Sequence, residues 1–233
     1  MISIIIPTFN EYGNITSLVK YIYQILIKAN IKFEIIIVDD NSPDQTALEI
    51  KREFKNNKNI RLFVRKRIKG LASAILYGIK KAKGKIIVGM DADFNHPPEK
   101  IITLVEEIKS HDLVIASRFI KGGGMEDKVR YFLTCVFNLL LKYILGFPTM
   151  DNMSGFYAIK KEKLSKLPIA DIYRGYGEYH LRLDYLSKKN NLKIKETPVY
   201  CPERRYGQSK SNLFIMFFIY LWTGLKMKLK KID

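Results

Sequence analysis

Short runs of β-branched and aliphatic residues recur at intervals, and each gives way to a segment with a different period. Ile2–Ile6, Phe33–Val38, Ile60–Val64 and Lys85–Val88 are almost wholly apolar, the signature of buried strands. After the first run, Ile15, Leu18, Val19, Ile22 and Leu26 fall on one helical face behind Asn14, a suitable N-cap. A second helix is expected from about Asp44 to Phe54. A third, opened by Gly70, carries Leu71, Ala74, Ile75, Gly78, Ile79 and Ala82 in register. Ile101, Ile102, Val105 and Ile108 mark a fourth, and Asp112–Ser117 reads as a further strand. Strands alternating with helices build βαβ units. Right-handed crossovers make these a doubly wound α/β fold, with a mostly parallel sheet flanked by helices. With 47% hydrophobic residues in 233, the chain can fill such a core as one large domain or two small ones. Farther on, Asp151–Ile159 returns to strand character, Tyr173–Tyr185 reads as loop into helix, and Leu192–Pro198 as strand.

Lys85–Val88 runs into Gly89-Met90-Asp91-Ala92-Asp93-Phe94-Asn95-His96-Pro97-Pro98-Glu99. Asp91 and Asp93 thus stand at the carboxyl end of a central strand, where ligands bind in open α/β sheets. If the chain stays extended, residues two apart point the same way and the two carboxylates converge. Adjacent like charges oppose each other's ionisation, and a hard divalent cation such as Mg2+ or Mn2+ would relieve this. A solvated acidic turn is the plain alternative, because Asp-x-Asp alone is common. Neither Gly-x-Gly-x-x-Gly after the first strand nor a Gly-x-x-x-x-Gly-Lys-Ser/Thr motif occurs, so dinucleotide-binding and P-loop readings lose their support.

Forty Lys and Arg against 23 Asp and Glu give a formal charge of +17. The surplus favours a polyanionic partner: nucleic acid, an anionic membrane face or phosphorylated substrates. No winged-helix, RNA-recognition or zinc signature accompanies it, so no nucleic-acid partner is expected. Cys135 and Cys201 lack metal spacing and read as core thiols of a reducing compartment; His96, His111 and His180 are scattered. Met1–Pro7 has no basic flank or cleavage pattern and is not expected to be a secretory leader. Tyr131–Phe147 is apolar almost all round, either a core helix or a helix in a membrane interface. Leu213–Leu225, with Trp222 near one end and lysines from Lys226 to Lys231 behind it, looks interfacial; docking on its own domain or a partner is the alternative.

Taken in order, Pro7-Thr8-Phe9-Asn10-Glu11, Val38-Asp39-Asp40-Asn41-Ser42, Lys69-Gly70-Leu71, Asp91-Ala92-Asp93 through Glu99, Ser117-Arg118 with Gly122-Gly123-Gly124, Asp151 with Ser154-Gly155-Phe156, and Arg204-x-x-Gly-x-Ser-Lys210 resemble glycosyltransferase family 2. Each motif alone is weak; their order over nearly the whole chain is specific. The resemblance implies the GT-A fold and, within the family, is to polyprenol-phosphate (dolichol-phosphate) mannose synthases. It implies a catalytic domain over 1–210, with a nucleotide-binding half to about 118 and an acceptor half from about 119. A C-terminal amphipathic helix at the membrane interface would occupy 211–233. By the same resemblance, Pro7, Thr8, Glu11, Asp39, Lys69, Asp91, Ala92 and Asp93 bind the nucleotide sugar. Asp91 and Asp93, completed by Asn95, hold Mg2+ or Mn2+; Asn95 is one methylene shorter than the Gln common at that position. Arg118, Arg130, Arg204, Ser209 and Lys210 meet the donor diphosphate or the acceptor phosphate. The acid between Tyr173 and Tyr185 is either Glu178 or Asp184.

The implied reaction moves mannose from GDP-mannose to dolichyl or polyprenyl phosphate, with inversion, at the cytoplasmic face of a membrane. A separate membrane-anchoring subunit is a further possible partner. A phosphate monoester is largely ionised at neutral pH and needs no general base, consistent with the absence of a histidine constellation. Inside the enzyme class the alternative is glucosyl transfer from UDP-glucose to the same lipid. Outside it, the alternatives are a basic membrane- or nucleic-acid-binding module without catalysis, or an inactive GT-A scaffold.

Overall fold

A computed structural model describes residues 1–202 and 213–229. The expected strands form as β1 (Ile2–Thr8), β2 (Phe33–Asp39), β3 (Ile60–Val64), β4 (Ile86–Gly89) and β5 (Leu113–Ser117). Between them lie α1 (Ile15–Lys28), α2 (Thr46–Phe54), α3 (Leu71–Lys81) and α4 (Lys100–Glu107). The chain continues through β6 (Gly124–Met125), α5 (Lys128–Leu139), a π-helical turn (Leu140–Ile144), β7 (Tyr157–Lys160), α6 (Lys161–Leu164) and α7 (Ile169–Ile172). It ends with α8 (Tyr179–Lys189), β8 (Ile194–Pro198), β9 (Tyr200–Cys201) and α9 (Leu213–Leu229).

Seven strands make the central sheet in the order β3-β2-β1-β4-β7-β5-β8, with β6 and β9 paired separately. All neighbours in the large sheet are parallel except β7, which runs antiparallel to both β4 and β5. Strand alternation divides the core. Ile4, Ile6, Ile35 and Ile37 pack on the face covered by Leu18 and Ile22 of α1. Ile5, Ile36 and Val38 pack on the other, with Ile75 and Ile79 of α3. Burial on both faces explains the unbroken apolar runs. Tyr157 of β7 lies opposite Gly89, and a Cβ there would come within 2.6 Å of the tyrosine ring. Glycine at the end of β4 therefore makes room for the inserted strand.

Several local expectations change. Asn14 does not cap α1 with its side chain; it sits in helical conformation and donates to Glu11 Oε2 at 3.1 Å. Of the 151–159 stretch only residues 157–159 are strand, the start of Tyr157–Lys160, because the polar residues before them form a bonded loop. The 131–147 segment is two-sided: Phe137, Leu141 and Leu145 are buried while Phe132, Leu133, Val136 and Tyr143 are exposed. Helix α9 packs on it, with Phe137 4.6 Å from Phe217 between ring centroids and Lys228 Nζ donating to the Ile144 carbonyl at 2.7 Å. The amphipathic pattern expected of the tail is not what α9 carries. Apolar residues occupy its exposed side (Ile215, Phe218, Trp222) as well as its packed side, and its lysines collect at the C-terminal end. Among the described residues, no helix is long and apolar enough to cross a membrane.

Candidate active site

The carboxyl ends of β1, β2 and β4 lie side by side and open onto a cleft of about 430 Å3. Its walls are Pro7, Thr8, Phe9 and Glu11 after β1, Asp40 after β2, Lys69, Gly70, Leu71 and Ala74 at the start of α3, Asp91, Ala92 and Asp93 after β4, and Tyr176. The fold thus gathers Pro7, Thr8, Glu11, Lys69, Asp91, Ala92 and Asp93 into one wall system. Asp39 is placed differently. It is fully buried, accepting from Thr8 Oγ1 at 3.0 Å and from the Ser42 amide and hydroxyl at 2.9 and 2.6 Å, and so it shapes the loops beneath the cleft. Asp40 is the carboxylate on the wall. It accepts from Arg65 Nε and the Gly70 amide, both at 2.7 Å. Gly70 adopts φ +127°, which an L side chain rarely tolerates, and this brings its amide to Asp40 as α3 begins. Lys69 Nζ stands 5.3 Å above the Phe9 ring, a cation held on an aromatic floor.

The acidic turn does not stay extended. β4 ends at Gly89, and the chain bends so that Phe94, buried and bulky, takes φ +63°. Asp93 is buried at 3% exposure and accepts from the Asn95 amide at 3.1 Å, whereas 41% of the Asp91 side chain is exposed. Asn95 Nδ2 donates to the Pro202 carbonyl at 2.9 Å. His96 is also buried. Its Nδ1 accepts the Asp91 amide proton at 3.0 Å, so the ring proton sits on Nε2, 3.1 Å from the Ser154 carbonyl. Both ring nitrogens are thus engaged, and the acids of this turn that line the cleft, Asp91 and Asp93, offer oxygen donors to a cation. An all-oxygen set suits Mg2+ or Mn2+.

Arg118, just past β5, is clasped. Nε and Nη2 each donate to Asp151 at 2.7 Å, and the Arg118 amide donates to the same carboxylate at 3.0 Å. Burial alone would pull the Arg118 pKa down and push that of Asp151 up; the ion pair overrides both, raising the first and lowering the second. The Asp151 loop is fixed from three sides. Glu196 accepts from the Met150 and Asp151 amides, Asn138 accepts from the Asn152 amide, and Thr149 donates to Asp184 at 2.9 Å. Asp184 is completely buried, and burial pushes its carboxyl well above the usual range. His180 lies 3.6 Å from it, and burial drags its pKa to about 3. Asp184 therefore belongs to the core. Glu178, ion-paired to Arg182 and accepting from the Tyr176 amide at 3.0 Å, is the acid that supports the cleft wall. Arg130 lies on the first turn of α5, where its amide donates to the Asp127 cap at 2.9 Å. Arg204, Ser209 and Lys210 lie outside the described residues.

Glycosyl transferase family 2 matches this sequence over residues 3–167, well over half of the chain. The chain belongs to glycosyl transferase family 2. Within the family, it is 35% identical over 214 residues to a dolichol-phosphate mannosyltransferase of Pyrococcus furiosus, a match covering 90% of this chain and 58% of that protein. The chain thus spans under two thirds of that relative's length. It is 30% identical to the dolichol-phosphate mannosyltransferase of Saccharomyces cerevisiae (89% of this chain, 80% of that protein) and 29% identical to a polyprenol monophosphomannose synthase of Mycolicibacterium smegmatis (98% and 88%). A glucosyl-3-phosphoglycerate synthase from Mycobacterium tuberculosis, solved with Mn2+, UDP and phosphoglyceric acid, superposes with a TM-score of 0.73 at 21% identity, covering 100% of this chain and 80% of that one. That likeness establishes the GT-A architecture.

Three residues of this family member's site had weak sequence signals. Asp40 is the second of an Asp-Asp pair, and only the course of the loop decides which carboxylate reaches the cleft. Tyr176 arrives from a loop distant in sequence. His96 carried a signal in hindsight: a histidine between an acidic pair and Pro97-Pro98 stands where a bent turn needs a fixed internal acceptor.

Proposed function

We propose that this chain transfers mannose from GDP-mannose to the phosphate of dolichol or another polyprenol, with inversion, using a divalent cation held by Asp91 and Asp93. The observation that carries the reading is the joining of Asp91, Asp93, Lys69, Thr8 and Glu11 in one cleft, in a chain that also presents an apolar helix pair. Bound between the two aspartates, Mg2+ or Mn2+ would supply positive charge for the departing diphosphate. The chain's own residues do the rest. Pro7, Thr8 and Glu11 frame the nucleotide. Lys69, fixed over Phe9, adds charge on the phosphate side of the cleft. An oxygen of the lipid phosphate attacks the anomeric carbon, the bond to the diphosphate oxygen breaks, and the nucleoside diphosphate leaves with the electron pair. The nucleophile is already ionised, so no buried base is required. Arg118 keeps Asp151 and its loop in place; Arg130, Arg204, Ser209 and Lys210 are our candidates for acceptor-phosphate contact.

Phe132, Leu133, Val136 and Tyr143 on the 131–147 segment, and Ile215, Phe218 and Trp222 on the α9 helix packed against it, are exposed apolar side chains, with Lys226 and Lys228 at the end of α9. Such a face suits a membrane interface where the lipid acceptor resides, and we assign the chain to the cytoplasmic leaflet, with or without an anchoring subunit. The test incubates the purified chain with radiolabelled GDP-mannose or UDP-glucose, polyprenyl phosphate and Mg2+, followed by organic extraction. Label extracted from GDP-mannose alone supports the proposal. Label extracted from UDP-glucose alone contradicts the donor assignment, and no extractable label from either contradicts the reaction.

A further inference from the structure

We propose that His96 is a positioning residue that sets the metal-binding geometry of the acidic turn and ties that turn to the Asp151–Gly155 loop. The inference rests on the reading that Asp91 and Asp93 hold the divalent ion, and it assigns a task to a side chain that touches no substrate. The ring is almost entirely buried and lies flat on Phe156, with centroids 4.9 Å apart and planes 15° from parallel. One nitrogen accepts from the Asp91 amide and the other faces the Ser154 carbonyl. Ser154 in turn donates through Oγ to the Ala116 carbonyl at 2.5 Å, one residue before the end of β5. An unbroken chain of contacts therefore runs from the backbone of Asp91, through the imidazole, to the loop whose Asp151 clasps Arg118.

The turn needs this hold. A phenylalanine at φ +63° is an unfavourable backbone state that persists only where its surroundings over-determine it. Three side-chain-to-backbone bonds surround Phe94: His96 to the Asp91 amide, Asp93 to the Asn95 amide, and Asn95 to the Pro202 carbonyl. The first acts on the residue whose carboxylate is the more exposed of the pair, and that carboxylate also lies 3.9 Å from His96 Nε2. Without an acceptor for its amide, the Asp91 backbone loses the bond that orients it relative to Asp93 on the wall of the cleft.

Amide replacements separate this role from packing. In His96→Asn the side-chain oxygen falls near the position of Nδ1 and can still accept from the Asp91 amide. In His96→Gln the amide reaches the Nε2 position, serving Ser154 and leaving the Asp91 amide without its acceptor. Both lose the stacking on Phe156. The full chain is titrated with Mn2+ in the presence of fluorescently labelled GDP or UDP, whichever binds, with Asp93→Asn as control and thermal melts taken without metal. We expect similar melting losses for the two variants. Half-saturating Mn2+ should stay within about threefold of wild type in His96→Asn and rise about tenfold or more in His96→Gln. Equal rises in both, or no rise in His96→Gln while Asp93→Asn loses its Mn2+ response, would overturn the positioning role alone. An unchanged Mn2+ response in Asp93→Asn would overturn the metal assignment and this inference with it. If His96→Gln fails to fold, nitrogen-15 spectra of the wild-type imidazole decide. A proton on Nε2 and a slowly exchanging Asp91 amide support the role, and a proton on Nδ1 overturns it.

Discussion

Asp91 and Arg118 both stand just beyond the carboxyl ends of strands of one sheet, β4 and β5, with only β7 between them. Asp91 leaves 41% of its side chain exposed at the cleft, on a turn bent away from regular structure. Arg118 is 9% exposed and bonded through two nitrogens to a carboxylate that is completely buried. The two charges serve different ends. Asp91 keeps much of its side chain open to the cleft, while the charge of Arg118, which builds the scaffold, is matched by a buried carboxylate of its own chain. Beneath Arg118 the pattern continues, with Asp151, Asn152, Thr149 and Asp184 bonded to neighbours rather than to an open space.

Substitution on the two sides should break different properties. Asp91→Ala is expected to lower mannosyl transfer by at least about a thousandfold, roughly 4 kcal/mol of transition-state stabilisation. Its unfolding free energy should stay within about 0.5 kcal/mol of wild type. Transfer rates and urea melts on one preparation check both. Asp151→Ala should do the reverse first, costing about 3–5 kcal/mol of stability because a buried guanidinium loses its partner. Replacing both residues, Arg118→Met with Asp151→Leu, should restore part of that loss, as read by urea denaturation. A large activity loss in a fully stable Asp151→Ala would blur the contrast.

Protonation offers a finer test. His180 is held neutral by burial, its pKa lowered to about 3 from an ordinary 6.5. A depressed folded pKa contributes stability that is present above 6.5 and is lost as pH falls towards 3. Asp184, raised by burial, works in the opposite sense. In His180→Phe the loss of stability between pH 6.5 and 5 should therefore be shallower than in wild type, measured by melts across that window. The smallest effect is expected at the cleft rim. Lys69→Ala should change stability by less than about 0.5 kcal/mol while raising the KM for the sugar nucleotide several-fold, because it removes an exposed cation and little packing.

The same contrast explains what was legible in the sequence. The strands were readable because residues such as Ile4, Ile5, Ile36 and Ile37 are buried on both faces and need unbroken apolar runs. The rule that ligands meet such sheets at their carboxyl ends pointed to Asp91 and Asp93, and the family resemblance added Thr8, Glu11 and Lys69; all five line the cleft. The clasp on Arg118 was not readable, because its partner lies 33 residues away and an arginine's function depends on what it faces. Nor was the direction of β7: Tyr157, Ala158 and Ile159 are apolar whichever way the strand runs. The choice of Asp40 over Asp39 at the cleft wall, and the bend at Phe94, are set by loop geometry that no periodicity encodes.

The most direct test is a crystal of the chain soaked with GDP and Mn2+, with the metal located by its anomalous signal. The account predicts a manganese peak within coordination distance of Asp91 and Asp93, and nucleotide density along Pro7, Thr8 and Lys69. A manganese peak elsewhere, with the nucleotide bound away from β1 and β4, would contradict it.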